Sequence, residues 1–430
     1  MTNTLATTLR LACGAVLPNR IAKAAMTEGL ADSGDRATDR HATLYRRWSR
    51  GGAGLLITGN VMVDRRYLER PGNVVIDGNG GHQQLREWAR AGTEAGNHLW
   101  MQISHPGRQA TRTSTRQPLS PSDVQLKLAG MFARPRAMTP EDIEDAIQRY
   151  AHVAEVARDT GFTGVQVHGA HGYLISQFLS PVTNRRTDEW GGTLDNRARF
   201  LLETVKAVRG RVGADFPVAV KLNSADFQKG GFTLDECVQV AGWLGEADID
   251  LLEISGGTYE QPRLLDHQGQ DDTYAEPQRQ STRSREAYFL QYAGAIQASA
   301  KVPLMVTGGF RTRIAMEQAV SSGEADVIGL GRPLCVTPEL PAGLADGSVQ
   351  AADSWEKRLR LGPGRLLGPT SPVYLIKFFN VQGEVAWFYR QIVKLSQGQE
   401  PDTSLSLRRA LGQHLRSELR LSRGRVFRPQ

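Results

Sequence analysis

Residues 167–178 read VHGAHGYLISQF, which puts His168, His171 and Tyr173 close together where an apolar run ends. Imidazoles can ligate a metal, relay a proton or donate hydrogen bonds to a carbonyl oxygen. A phenol, with an ordinary pKa of about 10, keeps its proton at neutral pH and can deliver it as a general acid. A zinc site at His168 and His171 would need a third and fourth ligand, and no HExxH motif or nearby cysteine supplies them. A proton relay, a carbonyl clamp and ordinary loop polarity stay open on these residues alone.

Other chemistry-bearing residues recur where apolar runs end. Gln102 is followed by Ser104, His105, Pro106, Gly107 and Arg108. Ala25, Met26 and Thr27 close the first run, and Gly59 closes the second. Lys221 stands near the end of VAVKL, where no run of carboxylates at the other ends faces it. A buried lysine needs a partner, so an electron-rich ligand is the expected one, with a structural lysine at a barrel floor as the alternative. Gly308-Gly309 and Gly331-Arg332 follow the last two runs. Paired glycines let backbone N–H groups approach an oxyanion, and an arginine can add a bidentate contact, so a phosphate-bearing ligand is expected there.

The elements that must carry these residues are eight short apolar runs, near 20–26, 54–59, 98–103, 164–168, 218–222, 251–255, 303–309 and 326–331. Each is aliphatic and bounded by Gly, Pro or polar residues, as buried parallel strands are. Between them lie amphipathic stretches. In PEDIEDAIQRYAHVAEVARDTG, Ile143, Ile147, Tyr150, Val153, Ala154 and Ala157 recur at helical spacing, with Pro140 at the start and Gly161 at the end. Eight βα alternations predict an α/β fold, a (β/α)8 TIM barrel. No GxGxxG follows the first run, which argues against a doubly wound dinucleotide domain. In such barrels chemistry sits at the C-terminal ends of the strands, where all these residues fall.

The barrel is expected over 1–347, with a mostly helical extension over 348–430. LGPGRLLGPTSP (361–372) reads as loop, and the stretch after it carries Phe378, Phe379, Trp387, Phe388 and Tyr389. Aromatics at helical spacing predict helices packed on the barrel or on a second subunit of a homo-oligomer. A lid over the site or a membrane-surface helix is the sharper alternative. The net charge of +7 owes much to a tail bearing Arg408, Arg409, Arg416, Arg420, Arg423, Arg425 and Arg428 against Glu418. A solvated helix accounts for that run, and no nucleic-acid motif accompanies it. No apolar run is long enough to span a membrane, the first residues lack a signal-peptide core, and the three cysteines are widely separated. A cytoplasmic location is expected.

The chain resembles the old yellow enzyme family of FMN-dependent NAD(P)H oxidoreductases, in its bacterial and fungal NADH:flavin oxidoreductase-like subgroup. The resemblance runs from about Leu17 to Glu339. It rests on LPNRIAKAAMT, on WMQISHPGR and above all on VHGAHGYLISQFLSPVTNRRTDEWGGTLDNRARF. It implies bound FMN, with NADH or NADPH as substrate. It also implies FMN phosphate on Gly308, Gly309, Gly331 and Arg332, and Gln102 on the pyrimidine edge. By the same resemblance Lys221 stands near N1 and the C2 carbonyl, Thr27 reaches the C4 carbonyl, and Ala25, Met26 and Gly59 line the ring. His168 and His171 would hold the carbonyl oxygen of an α,β-unsaturated substrate, and Tyr173 would protonate its α-carbon. Two positions depart from the family pattern: Lys221 stands where arginine is commoner, and Ala25 where proline is. An iron–sulfur cluster and second nucleotide domain, as in larger relatives, are not expected. The rival readings are a flavin barrel with another redox role (demethylation, disproportionation or biosynthetic isomerisation) and a non-catalytic barrel binding a phosphorylated ligand.

Overall fold

The computed structural model describes residues 4–128, 130–255 and 290–426. All eight apolar runs form strands: β1 (Ile21–Lys23), β2 (Leu55–Ile57), β3 (His98–Ser104), β4 (Gly164–Gly169), β5 (Val218–Asn223), β6 (Leu251–Ser255), β7 (Leu304–Thr307) and β8 (Val327–Leu330). Each pairs in parallel with the next, and β8 returns to β1 with Ile328 opposite Ile21, so the sheet closes into a barrel. Val61–Met62 adds a short strand beside β3. A hairpin of Leu9–Arg10 and Val16–Leu17 precedes β1.

Helices follow the strands in turn: α1 (Asp39–Ser49), α2 (His82–Gly92), α3 (Pro140–Asp159), α4 (Leu194–Val212), α5 (Leu234–Glu246), α6 (Leu290–Ala300), α7 (Arg313–Ser321) and α8 (Leu340–Asp346). Their starts are written locally. Thr139 accepts from the Asp142 N–H while Asp142 accepts from the Thr139 N–H, and Pro140 occupies the first turn, where its missing N–H costs nothing. Thr233 and Glu236 repeat the reciprocal cap on α5. The buried faces of these helices meet the outward strand residues; Ile143, Ile147, Tyr150, Val153, Ala154 and Ala157 of α3 are all in the core.

Beyond α8 lie a short helix (Gly364–Leu367), inside the stretch read as loop, then α9 (Tyr374–Leu395) and α10 (Leu407–Val426). α9 buries Trp387, Phe388, Ile392 and Leu395, and touches both α1 and the turn Arg332–Cys335. Burying side chains of this size stabilises by about 1.5–3 kcal/mol each. Polar ties reinforce the packing: Arg70, from the loop after β2, reaches Glu418 of α10 and lies 4.0 Å over the Tyr389 ring. Phe379 is exposed, so only part of the aromatic run is core. Of the basic tail, Arg428 lies outside the described residues. Among the described residues no helix is long and apolar enough to cross a membrane.

Candidate active site

Strand register determines which side chains meet beneath the barrel mouth. Gln102 of β3 is opposite Gln166 of β4, and Lys221 of β5 is opposite His168 on one side and Glu253 of β6 on the other. Inward-facing residues of neighbouring strands then touch. Gln102 Nε2 donates to Gln166 Oε1 (2.7 Å), and Gln166 Nε2 donates to Glu253 Oε2 (2.7 Å). Lys221 Nζ lies 2.8 Å from the other carboxylate oxygen, Glu253 Oε1. All four side chains are buried. The expectation that no carboxylate faces Lys221 is therefore corrected. Glu253, inside LLEIS, is its partner, and Gln102 is likewise tied to a protein amide.

At the end of β4 the chain turns back over this line. His168 Nδ1 accepts from the Ala170 N–H at 3.3 Å, which leaves Nε2 as its protonated nitrogen. His171 adopts φ 61°, the left-handed region, which costs a non-glycine residue about 1 kcal/mol or more. Three contacts compensate. The His171 N–H donates to Asn223 Oδ1 (3.0 Å), its carbonyl accepts from Gln109 Nε2 (2.9 Å), and its ring Nε2 meets Ser255 Oγ at 3.0 Å. Tyr173 follows at the start of a short helix, Leu174–Leu179. The His168 ring centre is 5.1 Å from that of His171 and 4.9 Å from that of Tyr173, both edge-on. Burial, reinforced by the Lys221 charge, pushes both imidazoles well below the usual histidine range. Both are neutral, so each can act as a hydrogen-bond donor without carrying charge.

The residues after β7 and β8 form the next sector. Gly308 and Gly309 have φ 123° and 82°, conformations that favour glycine. A Cβ on Gly331 would meet only Met26 Sδ, at 3.7 Å, so the backbone there is open to approach. Thr307 Oγ1 is buried with no hydrogen-bond partner among the described residues. Arg332 Nη1 donates to Glu384 Oε1 of α9 at 2.8 Å. The arginine expected to serve a phosphate thus also anchors the C-terminal helices, while 23% of its side chain stays exposed.

The first two strands supply a third sector. Thr27 Oγ1 donates to Glu69 Oε2 at 2.9 Å, and Asn60 Nδ2 donates to the same oxygen. Met26 Sδ contacts Cys335 Sγ. The Gly59 N–H donates to Glu28 Oε1 (2.8 Å), which also accepts from Tyr45 OH. A Cβ on Gly59 would lie 2.5 Å from Met26 O and 2.6 Å from Thr27 Cα. Glycine at 59 is therefore required by the protein's own backbone. Beneath it, Lys23 Nζ donates to Ile57 O (2.7 Å) and lies 4.5 Å over the Trp48 ring; burial lowers its pKa to about 8.

Sequence reading missed Glu28, Glu69, Gln166, Glu253, Ser255 and Glu384. Two were signalled: Gln166 and Glu253 are polar residues inside apolar strand runs, and each shares a face with a residue two further on, His168 and Ser255. Glu384 carries no local signal, because its partner is set by where α9 docks. Among the described residues no cluster of three or more His, Cys, Asp or Glu is arranged to hold a metal.

A closed (β/α)8 barrel thus brings two imidazoles, a phenol and a buried lysine together at the C-terminal ends of its strands, the rim at which barrels of this class carry out their chemistry. Comparison with known proteins narrows the class. Residues 13–350 match the model of the NADH:flavin oxidoreductase / NADH oxidase family. The chain is 35% identical over 353 residues to the NADH-dependent flavin oxidoreductase iliE of Hypocrea jecorina, a match covering 77% of this chain and 86% of that protein. It is 36% identical to iliE of a Neonectria species over 77% of this chain, but this spans only 46% of that protein's length. Among solved structures, the old yellow enzyme homologue of Zymomonas mobilis superposes with a TM-score of 0.67 at 26% identity, over 81% of this chain and 94% of that one. The chain belongs to the NADH:flavin oxidoreductase / NADH oxidase family, of the old yellow enzyme kind.

Proposed function

We propose that residues 1–347 form an FMN-binding barrel that uses NADH or NADPH to reduce the C=C bond of α,β-unsaturated carbonyl compounds, with residues 348–430 as a helical extension. A cytoplasmic location accompanies this reading. The observation that carries it is the meeting of His168, His171 and Tyr173 beside Lys221 at the mouth. The residues present fit FMN: the orphaned Thr307 hydroxyl, the left-handed Gly308-Gly309 pair, the open approach at Gly331 and the part-exposed Arg332 suit a phosphate. Gln102 and Lys221 suit the polar edge of a flavin ring, and Ala25, Met26, Thr27 and Gly59 its flank.

When bound, FMN supplies hydride, taken from the nicotinamide and passed to the β-carbon of the alkene. The protein's residues do the rest. His168 donates its Nε2 proton to the substrate carbonyl oxygen as a hydrogen bond, and His171 turns from Ser255 to share that oxygen. Donors aimed where negative charge develops stabilise the enolate-like transition state. Tyr173 delivers its proton to the α-carbon. Lys221 stabilises negative charge on the cofactor side, and Glu253 holds its ammonium in place. Both substrates would occupy the same site in turn, which gives ping-pong kinetics.

The test is stopped-flow absorbance of the purified yellow protein: bleaching by NADH or NADPH, then reoxidation by cyclohexenone. Reoxidation by oxygen but by no enone or nitro compound would remove the ene-reductase assignment and favour another flavin role. A colourless protein that takes up no FMN would remove the flavin reading altogether.

A further inference from the structure

The short helix Gly364–Leu367 and the first turn of α9 present an apolar surface that the rest of the molecule does not cover. Leu366, Tyr374 and Leu375 are 67%, 68% and 58% exposed, and Leu367 and Phe379 are exposed beside them. Apolar side chains this exposed, on two segments that are tied together, mark an interaction surface rather than ordinary surface scatter. The two segments are one built platform. Asn380 accepts from the Leu361 N–H (3.0 Å) and donates to Leu367 O (3.1 Å) and Ile376 O (2.8 Å), which ties the loop to the helix.

The segment that builds the platform carries charge of one sign. From Lys357 to Gly383 the chain holds Lys357, Arg358, Arg360, Arg365 and Lys377 and no aspartate or glutamate. Arg358 lies 3.6 Å from Asp353; the other four make no ion pair with a described residue. Arg408 of α10 donates to Leu361 O at 2.9 Å and adds a further cation to the same edge. Exposed leucines and a tyrosine ringed by lysine and arginine are the composition of an interfacial membrane element, in which apolar side chains enter the acyl boundary while cations meet anionic headgroups.

We propose that this platform docks the protein on an anionic lipid surface. A second copy of the chain is the poorer occupant. A two-fold contact through this patch would bring two sets of like charges together. The apolar side chains also project outward, so they suit insertion better than the capture of a peptide in a groove. The surface is independent of the flavin site, and its occupancy does not depend on which reaction the barrel performs.

Sedimentation of the full-length protein with vesicles tests it. Binding to phosphatidylcholine vesicles containing phosphatidylglycerol is expected to exceed binding to pure phosphatidylcholine by ~10-fold or more, and to weaken as salt rises. Leu366→Ser with Leu375→Ser, and separately Arg360→Ala with Arg365→Ala, should each abolish most of the difference while circular dichroism stays unchanged. Equal binding to both vesicles, binding to neither, or binding that survives both double substitutions would overturn the proposal. So would light scattering that shows a dimer lost on the same substitutions, since the patch would then be a contact between copies.

Discussion

Lys221 of β5 and Glu253 of β6 face each other in register, Nζ 2.8 Å from Oε1, with the carboxylate wholly buried. Removing one member of such a pair leaves an uncompensated charge in the barrel, which costs about 3–5 kcal/mol. Glu253→Ala should therefore lower the unfolding free energy by that order. A Lys221→Met, Glu253→Met double variant should recover much of the loss, because it removes both charges together. Chemical denaturation of the flavin-stripped proteins measures both, and additive losses in the double variant would show that the two residues act separately.

The roles proposed for His168 and Tyr173 should separate kinetically. His168→Ala removes an oxyanion donor and should lower the enone-dependent rate by about 100-fold or more. Tyr173→Phe removes the proton and should slow the same half-reaction by a similar factor, about 100-fold at least. Neither change should alter the rate of bleaching by nicotinamide by more than a small factor. Stopped-flow measurement of the two half-reactions reads them independently. Equal slowing of both would point to a disturbed pocket instead.

Arg332 is shared between the mouth and Glu384 of α9. Arg332→Ala should weaken FMN binding by ~10–100-fold, the worth of one or two charge-assisted hydrogen bonds. Riboflavin, which lacks the phosphate, should bind equally well to both forms. Fluorescence titration with each flavin distinguishes loss of a phosphate contact from general loosening of the mouth.

Stability should fall as the pH drops below the ordinary histidine range, through the buried histidines. Burial holds the pKa of His105 at about 4 and of His41 at about 3, and keeps His168 and His171 well below the usual range. Below the unfolded value of about 6.5 the unfolded chain takes up protons that the folded one refuses, so each such histidine lowers stability by about 1.4 kcal/mol per pH unit. The loss begins near pH 6.5 and, for His105, levels off only near its folded value. Denaturation midpoints between neutral pH and pH 5 check this, and His105→Gln should flatten the slope.

Gly59→Ala brings a methyl group against the Met26–Thr27 backbone. That contact cannot be relieved by a rotamer change, so a loss of about 1–3 kcal/mol is expected, as for overpacking elsewhere in cores. A drop in the thermal midpoint of the flavin-free protein would show that the constraint comes from the chain, whereas an effect only in the FMN-loaded form would place it on the ligand.

Much of this protein could be read along the chain. The eight strands, the Pro140 and Thr233 helix starts, and the grouping of His168, His171 and Tyr173 depend on residues near one another in sequence. Alternation, capping and turn chemistry act over those distances, so the barrel and the polar residues of its rim are legible. What tertiary structure alone decided is the partner of each buried charge. Register between β5 and β6 gives Lys221 its Glu253, the docking of α9 gives Arg332 its Glu384, and Asn223, Gln109 and Ser255 together hold His171 in its left-handed conformation. Those contacts join residues brought close only by closure of the barrel, and burial then makes each of them too costly to leave unpaired.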